Sequence, residues 1–127
     1  MRTTPDDITV LAPNEIFVFG SNLAGRHGRG AALRALRFGA RQGEGHGWTG
    51  RCYALPTLDA NLQKLTHADL KAYTGIFIEE AYENLKWDSD EVLLLTKVGC
   101  GLAGYDESYM KQFFKNTPPN VIKPEGW

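Results

Sequence analysis

The sequence is poor in the features that mark several protein classes. It has two cysteines, Cys52 and Cys100, too few for a disulfide framework, so free thiols in a reducing cytoplasm are the expected setting. It has no run of about 18 apolar residues, which predicts that nothing spans a membrane. The N-terminal MRTTPDDITV is polar and lacks the apolar core of a secretory signal, so secretion is not indicated. Neither sign of charge is in excess: 14 Lys+Arg face 15 Asp+Glu, a formal net charge of −1. General nucleic-acid binding driven by counterion release has little support from that balance. No Cys/His spacing suits zinc, so no metal is expected, and no cofactor is implied. No glycine cluster is followed by Lys-Ser or Lys-Thr, which excludes a P-loop NTPase. No repeat at a fixed period is present.

What remains is ordinary in composition except for glycine. The chain has 127 residues, 43% hydrophobic and 23% charged. That suits one globular domain over residues 1–127, burying roughly two-thirds of its unfolded surface. Fourteen residues are glycine, above the usual ~7%. They gather in three clusters, GSNLAGRHGRG from Gly20, GARQGEGHGWTG from Gly39 and GCGLAG from Gly99.

Apolar patterning between the clusters predicts the elements. Ile16-Phe17-Val18-Phe19 is apolar at every position, as a central strand covered on both faces requires. Asp7-Ile8-Thr9-Val10-Leu11 reads as a weaker strand before it. Residues 31–38 (AALRALRF) form a helix with the alanines and Leu36 on one face and Arg34 and Arg37 outward. Residues 51–55 (RCYAL) form a short strand stopped by Pro56. Thr66 caps a helix over residues 67–86, with Leu70, Tyr73, Phe77, Ala81 and Leu85 at helical spacing. Residues 91–98 (EVLLLTKV) form a second buried strand. Asp106 caps a helix to about Lys115, and residues 120–123 form a last strand.

The order is strand, strand, helix, strand, helix, strand, helix, strand. It predicts an α/β fold, a three-layer α/β/α sandwich with a mostly parallel central sheet. In such sheets ligands bind beyond the carboxyl ends of the strands. The first and third glycine clusters fall there, each between a buried strand and a helix. Glycine loops at a helix N-terminus present free N–H groups to an anion such as phosphate, and two such loops suit a diphosphate. The same glycines also serve plain tight turns. Gly99–Gly104 matches GxGxxG by letters, with Glu125 about twenty residues on. Only one short strand follows, which leaves a dinucleotide oxidoreductase domain no room.

On these residues the chain resembles a macrodomain, the family that binds ADP-ribose. The resemblance rests on Asp7-Ile8-Thr9, on Glu15–Asn22 leading into the first glycine loop and Ala31-Ala32, and on Val98-Gly99-Cys100-Gly101-Leu102. It covers residues 6 to 123. The second loop is similar to that of the branch that removes terminal ADP-ribose from glutamate. The resemblance implies that Asp7 accepts the adenine amino group, with Ile8 beside the ring, and that Asn22 orients the distal ribose. It implies that Gly28 and Gly30 approach the ribose and diphosphate from one side. Gly99, Cys100, Gly101, Leu102 and Ala103 would wrap the diphosphate from the other, and Tyr105 would close over the sugar.

The family's run of consecutive glycines is interrupted here by Arg26, His27 and Arg29. The lysine and aspartate of the glutamate-specific branch correspond to Thr57 and Ala103, with Lys97 and Asp106 displaced by several positions. The function implied is binding of ADP-ribose, an ADP-ribosyl group or a related nucleotide diphosphate, the partner being ADP-ribose or an ADP-ribosylated target. The alternative is an ADP-ribosyl hydrolase using Asn22, His27 and an activated water. The oligomeric state is not specified.

Single residues carry two readings each. Cys100 is a nucleophile activated by a helix N-terminus or a small apolar filler. His27 is a donor or base at the ligand or a solvated loop residue. His46 is part of a lid or of a plain loop, and Trp48 stacks on adenine or anchors an exposed turn. His67 reads as a surface residue. Glu79 and Glu80 read as a solvated helix face rather than a carboxylate pair.

Overall fold

A computed structural model describes residues 2–88 and 90–127. The elements are β1 (Glu15–Asn22), α1 (Gly30–Arg37), β2 (Gly47–Thr49), β3 (Cys52–Leu58), α2 (His67–Trp87), β4 (Val92–Leu95), α3 (Glu107–Met110) and β5 (Val121–Ile122). A 3₁₀ turn at Lys111–Phe114 follows α3 directly. The five strands form one sheet in the order β2-β3-β1-β4-β5. β1 pairs in parallel with β3 and with β4, β4 pairs in parallel with β5, and β2 alone is antiparallel. The fold is therefore α/β with a mostly parallel mixed sheet.

β1 takes the centre because its sequence is apolar on both faces. Side chains alternate across a strand. Ile16 and Val18 join Tyr53, Leu55, Leu93 and Leu95 against Leu70, Phe77 and Ala81 of α2. Phe17 and Phe19 join Cys52, Ala54 and Leu94 against Ala32 and Ala35 of α1 on the other side. Each large apolar side chain buried this way is worth roughly 1.5–3 kcal/mol. α2 begins where Thr66 Oγ1 accepts from the Asp69 amide at 3.1 Å. Its inward face is Leu70, Thr74, Phe77 and Ala81. Thr74, rather than Tyr73, takes the second inward place, and its hydroxyl donates to Leu70 O at 2.8 Å.

Several expected elements differ. Residues 7–11 form no strand; the N-terminal segment meets the sheet through the Thr4–Pro124 bridge, through Thr4 Oγ1 donating to Ile122 O at 2.8 Å, and through Arg2 paired with Glu15. Ile8 is buried there while Val10 is 77% exposed, so the stretch lacks the alternating apolar face that would hold it in a sheet. β3 does not stop before Pro56 but runs through it to Leu58. β2 pairs only with residues 52–54, so β3 is an edge on that side at Pro56, where a strand tolerates proline. A short strand, β2, lies inside the second glycine cluster, where flanking glycines hide the signal. β4 and β5 are shorter than expected. The helix expected after Asp106 is one α-turn followed by a 3₁₀ turn, and the Asp106 side chain caps nothing. Among the described residues no helix is long and apolar enough to cross a membrane.

The two-sided core and the cap make separate stability predictions. Phe77→Ala, at a fully buried position, is expected to lower unfolding free energy by about 3–5 kcal/mol in urea titration. Thr66→Ala is expected to cost about 1 kcal/mol.

Candidate functional site

The chain leaves β1 through α1 and β2 to reach β3 on one side of β1. It then crosses through α2 to β4 on the other side. The strand order thus reverses at β1, and in an open parallel sheet such a switch point leaves a crevice beyond the strand ends. Because β1 and β4 are parallel neighbours, the loops that follow them leave the same rim. Their backbones touch closely: a Cβ on Gly20 would lie 3.1 Å from Gly99 N. The crevice between and above them is a cleft of about 1170 Å³.

Its walls are rich in unpartnered main-chain donors. Asn22 shapes the first loop by holding Arg26 at both ends, Nδ2 donating to Arg26 O at 3.0 Å and Oδ1 accepting from Arg26 N at 3.1 Å. Beyond that turn, the amides of Gly28, Arg29, Gly30, Ala31 and Ala32 donate to no carbonyl or side chain among the described residues. They include the first turn of α1, which has no side-chain cap and no acidic residue. A helix start left open in this way favours an anion. Opposite it, the amides of Gly101, Leu102 and Ala103 are likewise without acceptors among the described residues.

The charged groups of the cleft are mostly paired with one another. Arg34 of α1 bonds to the Asp7 carboxylate and donates to Ile8 O at 2.9 Å. Lys97 lies 3.5 Å from Asp6 and 3.4 Å from Glu107. Its ammonium is held above the usual lysine range by the Glu107 hydrogen bond first and by the Asp6 charge next. It stays protonated at neutral pH and is no nucleophile. Arg26 and Arg29, at the first loop, form no ion pair among the described residues. Burial pushes the Cys100 thiol up to about 11. That supports the small-filler reading of Cys100 against the nucleophile reading. No group of three or more potential metal-ligating side chains occurs among the described residues.

Of the residues singled out from the sequence, Asp7, Ile8, Asn22, Gly28, Gly30 and Gly99 to Ala103 all line the cleft. His27 and Tyr105 do not. His27 is fully buried behind the first loop, its ring edge-on to Phe19 at 5.3 Å and its Nε2 3.0 Å from Glu44 O. An imidazole enclosed there reaches no ligand, so its place as a catalytic candidate is corrected. Tyr105 turns inward beneath the second loop, its hydroxyl donating to Thr57 O at 2.8 Å, and it does not cover a sugar.

Of the two readings of His46, the lid is not what the fold forms. Gly43 N donates to Gly25 O at 2.8 Å, Gln42 Oε1 accepts from His27 N at 2.9 Å, and Ser21 Oγ bonds to Gly45 O. The second glycine cluster is therefore a buttress behind the first loop. His46 and Trp48 pack on Tyr73 and Tyr53, away from the cleft. The residues missed are Arg34, read as outward-facing, and Glu107 and Leu62, for which no sequence motif existed. The chain matches no protein-family model, no curated protein and no solved structure.

The thiols give a pH prediction. With Cys100 at about 11 and Cys52 pushed by burial to about 12, both stay protonated at pH 7–8. Alkylation of the folded protein by iodoacetamide is expected to be slow there. Modification of Cys100, followed by mass spectrometry, should accelerate about tenfold per pH unit toward pH 10, because only the thiolate reacts.

Proposed function

We propose that the protein binds ADP-ribose, or the ADP-ribosyl group of a modified target, in the cleft beyond β1 and β4, and that it is a macrodomain-like three-layer α/β/α sandwich. One observation carries the reading. Two facing sets of main-chain amides without acceptors, Gly28–Ala32 and Gly101–Ala103, border one crevice, as a diphosphate requires. The end groups fit. The Asp7 carboxylate, 72% exposed, offers an acceptor to an adenine amino group, beside the apolar Ile8. Asn22 retains one amide hydrogen and one carbonyl lone pair beyond its two bonds to Arg26, enough for a ribose hydroxyl.

Hydrolysis has less support. His27 is enclosed, Cys100 is a neutral thiol and Lys97 is held between carboxylates, so none of these three is an activated nucleophile facing the cleft. Two free thiols suit a reducing cytoplasm.

Titration calorimetry with ADP-ribose and AMP tests the proposal. ADP-ribose is expected to bind with a Kd below about 1 mM, a free energy beyond roughly −4 kcal/mol. Asp7→Ala should weaken ADP-ribose and AMP alike by about tenfold, the loss of one charge-assisted hydrogen bond. An absence of ADP-ribose binding at millimolar concentration rejects the reading. Release of ADP-ribose from a modified protein, lost in Asn22→Ala, would replace binding by hydrolysis as the function.

A further inference from the structure

We infer that Leu62 is a specificity-determining residue that, with Leu102, forms an apolar lip over the distal sugar of the bound nucleotide diphosphate. The inference rests on the cleft reading above and names a residue that reading does not use.

Leu62 is the one non-glycine residue with positive φ, 62°, among the described residues. A side chain with a Cβ adopts that region only at a cost. The turn enforces it. Asp59 Oδ1 accepts from Asn61 N at 2.8 Å and from Gln63 N at 2.9 Å, and Asp59 O accepts from Leu62 N at 3.1 Å. Asparagine tolerates this conformation far better than leucine, yet asparagine stands one position earlier, at Asn61.

Nor does packing offset the cost, because Leu62 is 47% exposed. What it does is line the cleft. A residue that breaks the local rule, with no gain inside the fold, points to a contact outside it.

The surroundings say which part of a ligand it meets. The turn follows β3, whereas Lys97 and its partner Asp6 lie beyond β4, with β1 between. Leu62 therefore lies on the β3 side of the cleft, the side of Asn22, which pairs with Leu58, while Asp6, the neighbour of Asp7, lies on the β4 side. Lys64 ties the turn to the second glycine loop: its Nζ donates to Gly104 O at 3.2 Å and lies 5.0 Å from the Tyr105 ring centre. On that loop Leu102 is 74% exposed and reaches across the mouth, its Cδ1 3.9 Å from where a Gly30 Cβ would be. The side chains of two exposed leucines on tied loops offer nothing to a diphosphate. They suit the C–H face of a sugar ring, whose burial against them is favourable.

The test separates ligand contact from fold. Leu62→Gly and Leu62→Asn both suit the left-handed backbone. Each is expected to keep or raise Tm while weakening ADP-ribose binding about 5- to 20-fold by calorimetry. AMP, which has no distal sugar, should bind within twofold of the unsubstituted protein. Leu62→Met keeps an apolar side chain and should retain most of the affinity. Unchanged ADP-ribose affinity in both variants overturns the inference, as does an equal loss for AMP and ADP-ribose. Should the unsubstituted protein bind neither, the cleft reading itself fails and this inference falls with it.

Discussion

The parallel pairing of β1 with β4 is the constraint on which the site depends. Parallel neighbours present their carboxyl ends at one rim, so the two glycine loops share a crevice only because Phe17 lies opposite Leu94 and Val18 opposite Leu95 in a parallel ladder. That ladder survives because both faces are covered, Ile16 and Val18 toward α2 and Phe17 and Phe19 toward α1. Its last turn is tight. Gly20 leaves room for Gly99, and Gly99 itself has φ 77°, with Tyr105 where a Cβ would project. Sheet packing thus determines not only that the loops are close but how wide the cleft opens.

The cleft's electrostatics divide into a fixed part and a movable part. The fixed part is main-chain dipole: amides at the start of α1 and along the second loop, oriented by the fold and ready without rearrangement. The movable part is the ion pairs, Arg34 with Asp7 and Lys97 with Asp6 and Glu107. The carboxylates of these pairs are more than half exposed to solvent, which screens the attraction. Opening one to admit a ligand costs little. A cleft whose amide-lined wall is rigid and whose charged rim exchanges partners cheaply would suit the proposed ligand, with its charged centre and neutral ends.

Much of this arrangement is legible in the sequence, and for identifiable reasons. The continuous apolar run of β1 marks a central strand, and glycines after it and after β4 mark loops of close approach. Asn22 and Gly99 to Ala103 stand at or just after the ends of those two elements, whereas Asp7 and Ile8 come only from the family resemblance. The failures have physical causes too. The 7–11 segment has strand-like residues but no consistent face. Pro56 argues against a strand by local rules, and only the short reach of β2 permits it. Arg34 is outward on its own helix, and only the path of the N-terminal segment brings Asp7 within its reach. His27 is a polar residue between arginines, a pattern that says loop surface. Its burial depends on Phe19, Glu44 and Gln42, which are distant in sequence.

The second glycine cluster shows how function is reached indirectly. Read alone, residues 39–50 are a glycine-rich loop, with a lid as the second reading. In the fold they fill the space behind the first loop so tightly that side chains are excluded: a Cβ on Gly45 would meet Asn22 O at 2.1 Å, and one on Gly25 would meet Gly43 C at 2.3 Å. Overlaps of that size against backbone cannot be relieved by a rotamer change. Gly45 of this stretch and Gly25 of the first loop therefore bring backbone against backbone, and the first loop is braced from behind by hydrogen bonds through Gln42, Gly43 and Gly45. A loop braced in this way keeps its unpartnered amides oriented toward the cleft, where a free loop would lose them to water or to internal turns. The stiffness of the amide-lined wall thus depends on glycines that brace it from behind.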